Sequence, residues 1–133
     1  MNGVIRVVAA VVHRNGRLLL CKRPLHKRHG GLWEFPGGKV EADESIYAAA
    51  HRELSEELGV EVTAVGELAF AIQDPGSPYV IEFHPVDIQG QPRCMEHTAI
   101  QWVNSGELLA LPLAPSDRQY ALHLAASSPE QAR

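Results

Sequence analysis

The stretch RELSEELG, residues 52–59, places Glu53, Glu56 and Glu57 within five consecutive positions and ends on a glycine. It contains one arginine and no lysine. Surface helices usually intersperse lysines among glutamates, because like charges four residues apart cost roughly a few tenths of a kcal/mol. Ordinary solvation of a helix surface is therefore a poor explanation for this crowding of negative charge.

The residues around this stretch predict a helix over about 44–58. Asp43 is the predicted N-cap, Glu44 suits the first turn, and Gly59 provides the stop. With about 100° per residue, one face of this helix is apolar and should turn to the core. That face comprises Ile46, Ala50, Leu54 and Leu58.

The same helical wheel places Glu57 between Ile46 and Ala50, with Glu53 and Glu56 beside it at the edge of the buried face. Partly desolvated carboxylates raise their pKa or find positive charge, and a divalent cation with oxygen ligands supplies that charge most directly. The pattern therefore indicates a magnesium-type site. The alternative is a purely structural acidic helix whose glutamates are solvated.

The segment WEFPGGKV, residues 33–40, places Gly37 and Gly38 after an aromatic strand end and ahead of the helix. Glycine lets the backbone approach a ligand closely and exposes a carbonyl group. Alone, this pair is typical of a plain turn. Its position ahead of the glutamates favours a functional loop.

Gly38, Glu44 and residues 52–60 together match the pattern G-x5-E-x7-R-E-U-x-E-E-x-G-U, where U is aliphatic. This is the signature of the Nudix hydrolases, and the chain resembles that family at every fixed position. The resemblance implies an α/β fold, an α/β/α sandwich with a mixed central β-sheet. It also implies hydrolysis of a nucleoside diphosphate linked to another group, with Mg²⁺ or Mn²⁺ as the cofactor.

The resemblance also implies roles for single residues. Glu56 and Glu57 are expected to bind metal, Glu53 to bind metal or act as base, and the Gly37 carbonyl to be a further ligand. Arg52 is expected to orient the glutamates through charge-assisted hydrogen bonds. Glu44 is expected to lie near the metals or to tie the loop to the helix.

Outside the signature, the chain is similar to the MutT-type branch, particularly to CTP pyrophosphohydrolase and 8-oxo-dGTP diphosphatase members. Residues 32–41, residues 96–97 ahead of Trp102, and residues 112–117 carry this similarity. It implies that Glu96 is a metal ligand or general base, so the base is Glu53, Glu96 or Glu44.

The same branch implies three substrate contacts. Arg23 is expected to contact phosphate, Phe35 to lie beside the nucleobase, and Asp117 to hydrogen-bond the base edge. Asp117 departs from the asparagine of members that prefer oxidised guanine. Asparagine offers a donor and an acceptor, whereas ionised aspartate only accepts, so cytosine and purine nucleotides both remain open.

The aromatic candidates beside the base are Phe70, Phe83 and Tyr79, and each suits core packing equally well. The histidines are scattered without metal spacing, and only His97, beside Glu96, is a candidate for the site.

Periodicity predicts a single α/β domain over residues 1–133. Asn15-Gly16 should form a tight turn between two strands, residues 24–31 a polar loop, and residues 127–133 a frayed tail. The predicted strands are 4–12, 17–23, 60–72, 79–88 and 98–103. Two short helices are predicted at 104–109 and 117–126.

Composition narrows the function further. The formal net charge is −4, whereas domains that bind duplex nucleic acid are usually strongly basic. No apolar segment approaches the length of a membrane span. Cys21 and Cys94 form no disulfide or zinc pattern, which suits a reducing cytoplasm. The family resemblance implies a nucleoside triphosphate as the partner.

Three alternatives remain within reach of the sequence. The first is a hydrolase of another nucleoside diphosphate derivative, such as ADP-ribose or a dinucleoside polyphosphate. The second is a non-catalytic Nudix-fold module that only binds nucleotides. The third is a protein in which the acidic helix is purely structural. Nucleotide pool sanitation, with its link to DNA repair, and pyrimidine turnover are both open as biological roles, and so is the oligomeric state.

Overall fold

The structure is a computed structural model that describes residues 3–127. Its strands are β1 (Ile5–Val11), β2 (His13–Arg14), β3 (Arg17–Lys22), β4 (Trp33–Glu34), β5 (Gly37–Lys39), β6 (Glu61–Val65), β7 (Phe70–Gln73), β8 (Tyr79–Gln89) and β9 (Ala99–Val103). Its helices are α1 (Ile46–Leu58), α2 (Ser105–Leu108) and α3 (Pro115–Ser127). No helix among the described residues is both long and apolar enough to cross a membrane.

The strands form two sheets. The first has the order β5-β1-β8-β6, with β7 also paired to β8, and it is mixed because β1 and β8 run parallel. In the second, β3 pairs antiparallel with β2, β4 and β9. The mixed sheet agrees with the fold that the family resemblance implied.

Strand β1 is covered on both faces, which explains its nearly continuous apolar sequence. Ala9 and Val11 pack in one cluster with Tyr120 of α3, whereas Ala10 packs in another cluster with Leu54 of α1. Helices α1 and α3 therefore lie on opposite sides of the sheet, which confirms the predicted sandwich.

Helix α1 starts two residues later than predicted. Ser45 is the N-cap, and its hydroxyl accepts a hydrogen bond from the Ala48 N–H at 3.0 Å. The predicted cap, Asp43, has a left-handed φ of 65°, and Glu44 precedes the helix. The predicted stop is confirmed, because Gly59 has a φ of 70° and its N–H donates to the Ser55 carbonyl.

Two strand predictions needed correction. Residues 60–72 form β6 and β7 with a break between them, because the opposing strand β8 carries Pro85, which has no N–H to donate. The Asn15-Gly16 turn is confirmed, but it joins β3 to the short β2. Strand β1 itself pairs in the other sheet.

The loop predicted at residues 24–31 contains no helix or strand. Helix α3 begins two residues before the predicted one and ends at Ser127. The remainder of the predicted tail, residues 128–133, lies outside the described residues.

Leu19 tests the packing of this fold, since it is completely buried between the sheet and α1. We expect Leu19→Ala to lower the free energy of unfolding by about 2–5 kcal/mol, because truncation leaves a cavity that the core fills only partly. The matched control is Leu68→Ala at a 53% exposed position, which should stay within about 0.5 kcal/mol of wild type. Urea denaturation measures both, and equal effects would contradict the described core.

Candidate active site

Strand β5 and helix α1 approach each other closely because the strand begins with two glycines. A Cβ on Gly37 would collide with the Val8 carbonyl oxygen, and a Cβ on Gly38 would fall on the Glu53 carboxylate. Gly37 has a φ of 153°, and its N–H donates to Glu57 Oε1 at 3.3 Å. The glycines therefore bring backbone against the helix carboxylates.

Arg52 organises the acidic residues around the start of α1. Its guanidinium donates to both oxygens of Glu44 at 2.8 and 2.9 Å, to Glu53 Oε2 at 2.9 Å, and to the Lys39 carbonyl at 2.9 Å. This arginine lowers the pKa of Glu44 to about 2. Arg52 thus holds the loop before the helix and the strand beside it in one network, as the resemblance led us to expect.

Glu57 lies in the least favourable place for a charge. Its residue is only 7% exposed, and burial, followed by the negative charges of Glu34 and Glu53, raises its pKa to about 10. The prediction that the helix turns Glu57 inward is confirmed. The Gly37 N–H favours the ionised form of this carboxyl, whereas its hydrogen bond with Glu53 favours the protonated form, so added positive charge would stabilise the ionised form.

Two adjoining pockets open beside these residues. The carboxylate pocket has a volume of about 350 Å³ and is lined by Glu53, Glu57 and Glu96. The Asp117 pocket has a volume of about 260 Å³, and the residues that line it include Phe35, Tyr79 and Asp117. A common wall joins them, made of Arg23, Glu34, Gly37, Gly38 and Lys39.

The predicted metal-binding residues are only partly brought together. Glu53, Glu57, Glu96 and Gly37 line the carboxylate pocket, whereas the Glu56 side chain is 54% exposed and lines neither pocket. Among residues 3–127, no three acidic, histidine or cysteine side chains converge into a ready metal site. Arg52 donates instead to Glu53, and the Gly37 N–H donates to Glu57.

The predicted substrate residues all line the Asp117 pocket. Arg23 belongs to the common wall and donates to Glu34 at 2.9 Å and to the Arg28 carbonyl at 2.6 Å. The Phe35 ring packs edge-on against Phe83 and Tyr120, with centroids 5.8 and 5.5 Å apart. The Phe35 backbone N–H donates to Asp117 Oδ1 at 2.9 Å.

Asp117 accepts a hydrogen bond, as the sequence led us to expect, but its carboxyl is buried. The residue is 8% exposed, and burial, followed by the charge of Glu34, raises the pKa of its carboxyl well above the ordinary value. A protonated carboxyl has one donor and keeps acceptor capacity. In its protonated form Asp117 would offer both a donor and an acceptor, as asparagine does.

Of the three aromatic candidates, only Tyr79 lines the pocket, where the Lys39 ammonium lies 5.5 Å from its ring centroid. Phe83 is completely buried in the core, and Phe70 stacks on His123 with centroids 4.6 Å apart. Phe70 and Phe83 therefore serve core packing and do not line the pocket.

Glu34 is a residue that sequence reasoning missed. Its carboxylate accepts from Arg23 and lies 2.9 Å from His97 Nε2, and it lines both pockets. His97, which the sequence did indicate, has a side chain only 5% exposed and lines the carboxylate pocket. An acid between Trp33 and Phe35 was the available signal, because a charge in an aromatic strand end requires a partner.

Comparison with known proteins agrees with this geometry. Residues 4–124 match the model of the NUDIX domain. The chain belongs to the Nudix hydrolase family. It is 46% identical over 117 residues to the CTP pyrophosphohydrolase of Escherichia coli, with 86% of each chain covered.

This Nudix hydrolase has further relatives with the same fold. It is 38% identical over 122 residues to a putative 8-oxo-dGTP diphosphatase 2 of Mycobacterium tuberculosis, covering 90% of this chain and 86% of that one. It also superposes on the crystal structure of a MutT Nudix hydrolase from Burkholderia pseudomallei. That match has a TM-score of 0.78 and 31% identity, over 90% of this chain and 95% of the other. Nudix hydrolases generally depend on a divalent metal ion.

The Glu44–Arg52 pair should make stability depend on pH. Because the pKa of Glu44 is lowered from 4.5 to about 2, its contribution is fully present above pH 4.5 and is lost as the pH falls towards 2. We expect Glu44→Gln to lower Tm at pH 7 and to differ less from wild type at pH 2–3, as followed by circular dichroism.

Glu41→Gln is the matched control for this measurement. Glu41 is 68% exposed and lies 3.9 Å from the same arginine, so its removal should change Tm at pH 7 much less. A Glu44→Gln deficit that is equally large at pH 2 would show that the charge of Glu44 is not what stabilises the loop.

Proposed function

We propose that this Nudix hydrolase is a Mg²⁺-dependent pyrophosphohydrolase that converts a nucleoside triphosphate and water into a nucleoside monophosphate and pyrophosphate. The observation that carries the proposal is Glu57, a buried carboxyl with no ion pair among residues 3–127, in a pocket that adjoins a second pocket. One pocket suits the metal and phosphates, and the other suits the base. Cytoplasmic nucleotides are the expected substrates.

The residues present fit a divalent cation. Carboxylate and carbonyl oxygens are the ligands that Mg²⁺ and Mn²⁺ prefer. Glu53, Glu57 and Glu96 face one pocket, and Gly37 adds a backbone carbonyl beside them. Glu56 is the remaining expected ligand, and its side chain is 54% exposed and lies 3.9 Å from Arg52.

A bound divalent ion supplies neutralisation of phosphate charge and acidifies a water molecule. The protein supplies the rest of the chemistry. Arg23 and Lys39, on the wall between the pockets, are placed to hold the phosphate chain as it passes from one pocket to the other. Arg52 keeps Glu53 in place. The general base that takes the proton of the attacking water is Glu53, Glu96 or Glu44.

The base preference is proposed from the Asp117 pocket together with the named relatives. A neutral Asp117 donates one hydrogen bond and accepts another, which suits the edge of cytosine as well as that of an oxidised guanine. We therefore propose CTP or dCTP and 8-oxo-dGTP as the substrate class. Similarity to a CTP pyrophosphohydrolase and to a putative 8-oxo-dGTP diphosphatase supports both.

Glu53→Gln and Glu56→Gln test the catalytic assignment. Loss of an outer partner of a metal ligand already costs about 10- to 100-fold in activity, so loss of a ligand should lower kcat/KM at least about 100-fold. The measurement is pyrophosphate release from CTP, dCTP and 8-oxo-dGTP with Mg²⁺. The matched control, Glu67→Gln at an exposed position, should retain wild-type rates.

Near-normal hydrolysis by both variants, with circular dichroism unchanged, would reject the assignment. Thermal unfolding with and without Mg²⁺ separates the alternatives. A structural acidic helix predicts no specific rise in Tm, and a non-catalytic binding module predicts a rise without pyrophosphate release. A best rate on ADP-ribose would replace the proposed substrate class.

Asp117 tests the base pocket. Because burial favours the protonated form of Asp117, Asp117→Asn should keep kcat/KM at pH 7 within about 3-fold of the wild-type value. Loss of one hydrogen bond, worth about 1 kcal/mol, would have a larger effect. Asp117→Leu should lower it at least 10-fold, since the Phe35 N–H then lacks its acceptor. Equal losses in both variants would show that Asp117 acts as an ionised group.

A further inference from the structure

The segment at residues 90–98 connects β8 to β9 and brings Glu96 to the carboxylate pocket. Glu53 and Glu57, which line the same pocket, belong to helix α1 and are held by it. Glu96 lies instead on a segment that contains no helix or strand. Irregular segments are more mobile than helices unless other contacts fix them, so the position of Glu96 depends on what holds this segment.

Backbone hydrogen bonds hold the segment on both sides of Glu96. The Met95 N–H donates to the Glu57 carbonyl at 3.0 Å, in the last turn of α1, where carbonyls lack partners within the helix. The Thr98 N–H donates to the Lys22 carbonyl at the end of β3, also at 3.0 Å. Two residues lie between these backbone contacts, and their position must be set in another way.

The imidazole of His97 provides the contact between these two points. Among residues 3–127, Glu96 and His97 form one hydrogen bond, which joins His97 Nε2 to Glu34 Oε2 at 2.9 Å. Because an ionised carboxylate only accepts, Nε2 carries the proton and donates. The ring is almost completely buried, and its Nδ1 atom has no partner in the same range of residues. The Glu34 contact therefore fixes the orientation of the ring.

Glu34 is a well-fixed acceptor because its other oxygen is also bonded. Arg23 donates to Glu34 Oε1 at 2.9 Å, and its Nε atom donates to the Arg28 carbonyl at 2.6 Å. Glu34 itself belongs to β4, which pairs with β3. Hydrogen bonds between charged groups are stronger than those between neutral groups. His97 is thus attached to a side chain that is bonded through both oxygens.

Charge in the pocket explains why Glu96 needs such a restraint. Its carboxylate lines a pocket with those of Glu53 and Glu57, and like charges repel one another. Before a cation binds, this repulsion favours movement of the least restrained carboxylate away from the other two. A fixed neighbour in the chain opposes that movement and preorganises the group, which lowers the cost of ligand binding.

On the basis of the proposed function, we infer that His97 is a positioning residue that holds Glu96 at the carboxylate pocket and so strengthens binding of the divalent cation. His97 acts through Glu96 and touches neither the cation nor the substrate. Partners that orient metal ligands from outside the ligand shell commonly account for about 10- to 100-fold in metal affinity.

Mn²⁺ binding without nucleotide tests this inference, with the free ion measured by electron paramagnetic resonance. We expect His97→Ala to raise the Mn²⁺ Kd about 10- to 100-fold. Glu96→Gln should raise it at least as much, and the double variant should bind no more weakly than Glu96→Gln alone, because His97 acts through Glu96. His97→Gln, whose amide N–H lies at about the reach of Nε2, should restore most of the affinity.

His84→Ala is the matched control, because His84 is another buried histidine whose imidazole bonds a single carbonyl, that of Gly66 at 2.9 Å. It lines neither pocket. This variant should lower Tm without changing the Mn²⁺ Kd. An unchanged Kd in His97→Ala, losses that add in the double variant, or an equal loss in His84→Ala would each overturn the inference.

Pyrophosphate release keeps this test separate from the proposed function. In His97→Ala, kcat should fall at low Mg²⁺ and recover as Mg²⁺ is raised, with nucleotide KM nearly unchanged. A loss that appears as a higher nucleotide KM at every Mg²⁺ concentration would place the effect on Arg23 and overturn the inference. Absence of pyrophosphate release by wild type from every triphosphate would instead reject the proposed function, while the Mn²⁺ Kd values still decide the role of His97.

Discussion

The contact between the two glycines of β5 and the glutamates of α1 is the constraint on which the site depends. Side chains at Gly37 and Gly38 would overlap the Val8 carbonyl and the Glu53 carboxylate. Burial of Leu54 and Leu58, which are completely inaccessible to solvent, stabilises the packing of α1 against the sheet. Each such side chain contributes about 1.5–3 kcal/mol of transfer free energy, which offsets the burial of a carboxyl beside them.

Charge is distributed unevenly along the two pockets. Negative charge is concentrated in the carboxylate pocket, where Arg52 binds Glu53 but not the buried Glu57. Glu34 adds negative charge at the junction, where Arg23 balances it. Beyond the junction, burial raises the pKa of the Asp117 carboxyl above its ordinary value.

Much of the fold was predictable because its signals are local. Helix α1 and its Gly59 stop follow from a 3.6-residue period and a residue that tolerates left-handed backbone. The N-cap was misplaced because Asp43 and Ser45 are both capping residues, and only the chain path before the helix distinguishes them. The break between β6 and β7 depends on Pro85, a residue of another strand.

The sequence by itself determined the family, the acidic helix, the glycines ahead of it and the inward direction of Glu57, since spacing along one helix fixes which side chains share a face. Only the tertiary structure decided that Glu34 joins Arg23 to His97 and that the Asp117 carboxyl is buried. These properties arise from burial and from pairing between residues far apart in the chain. Burial and long-range pairing leave no periodic pattern in the sequence, so they could not be predicted from it.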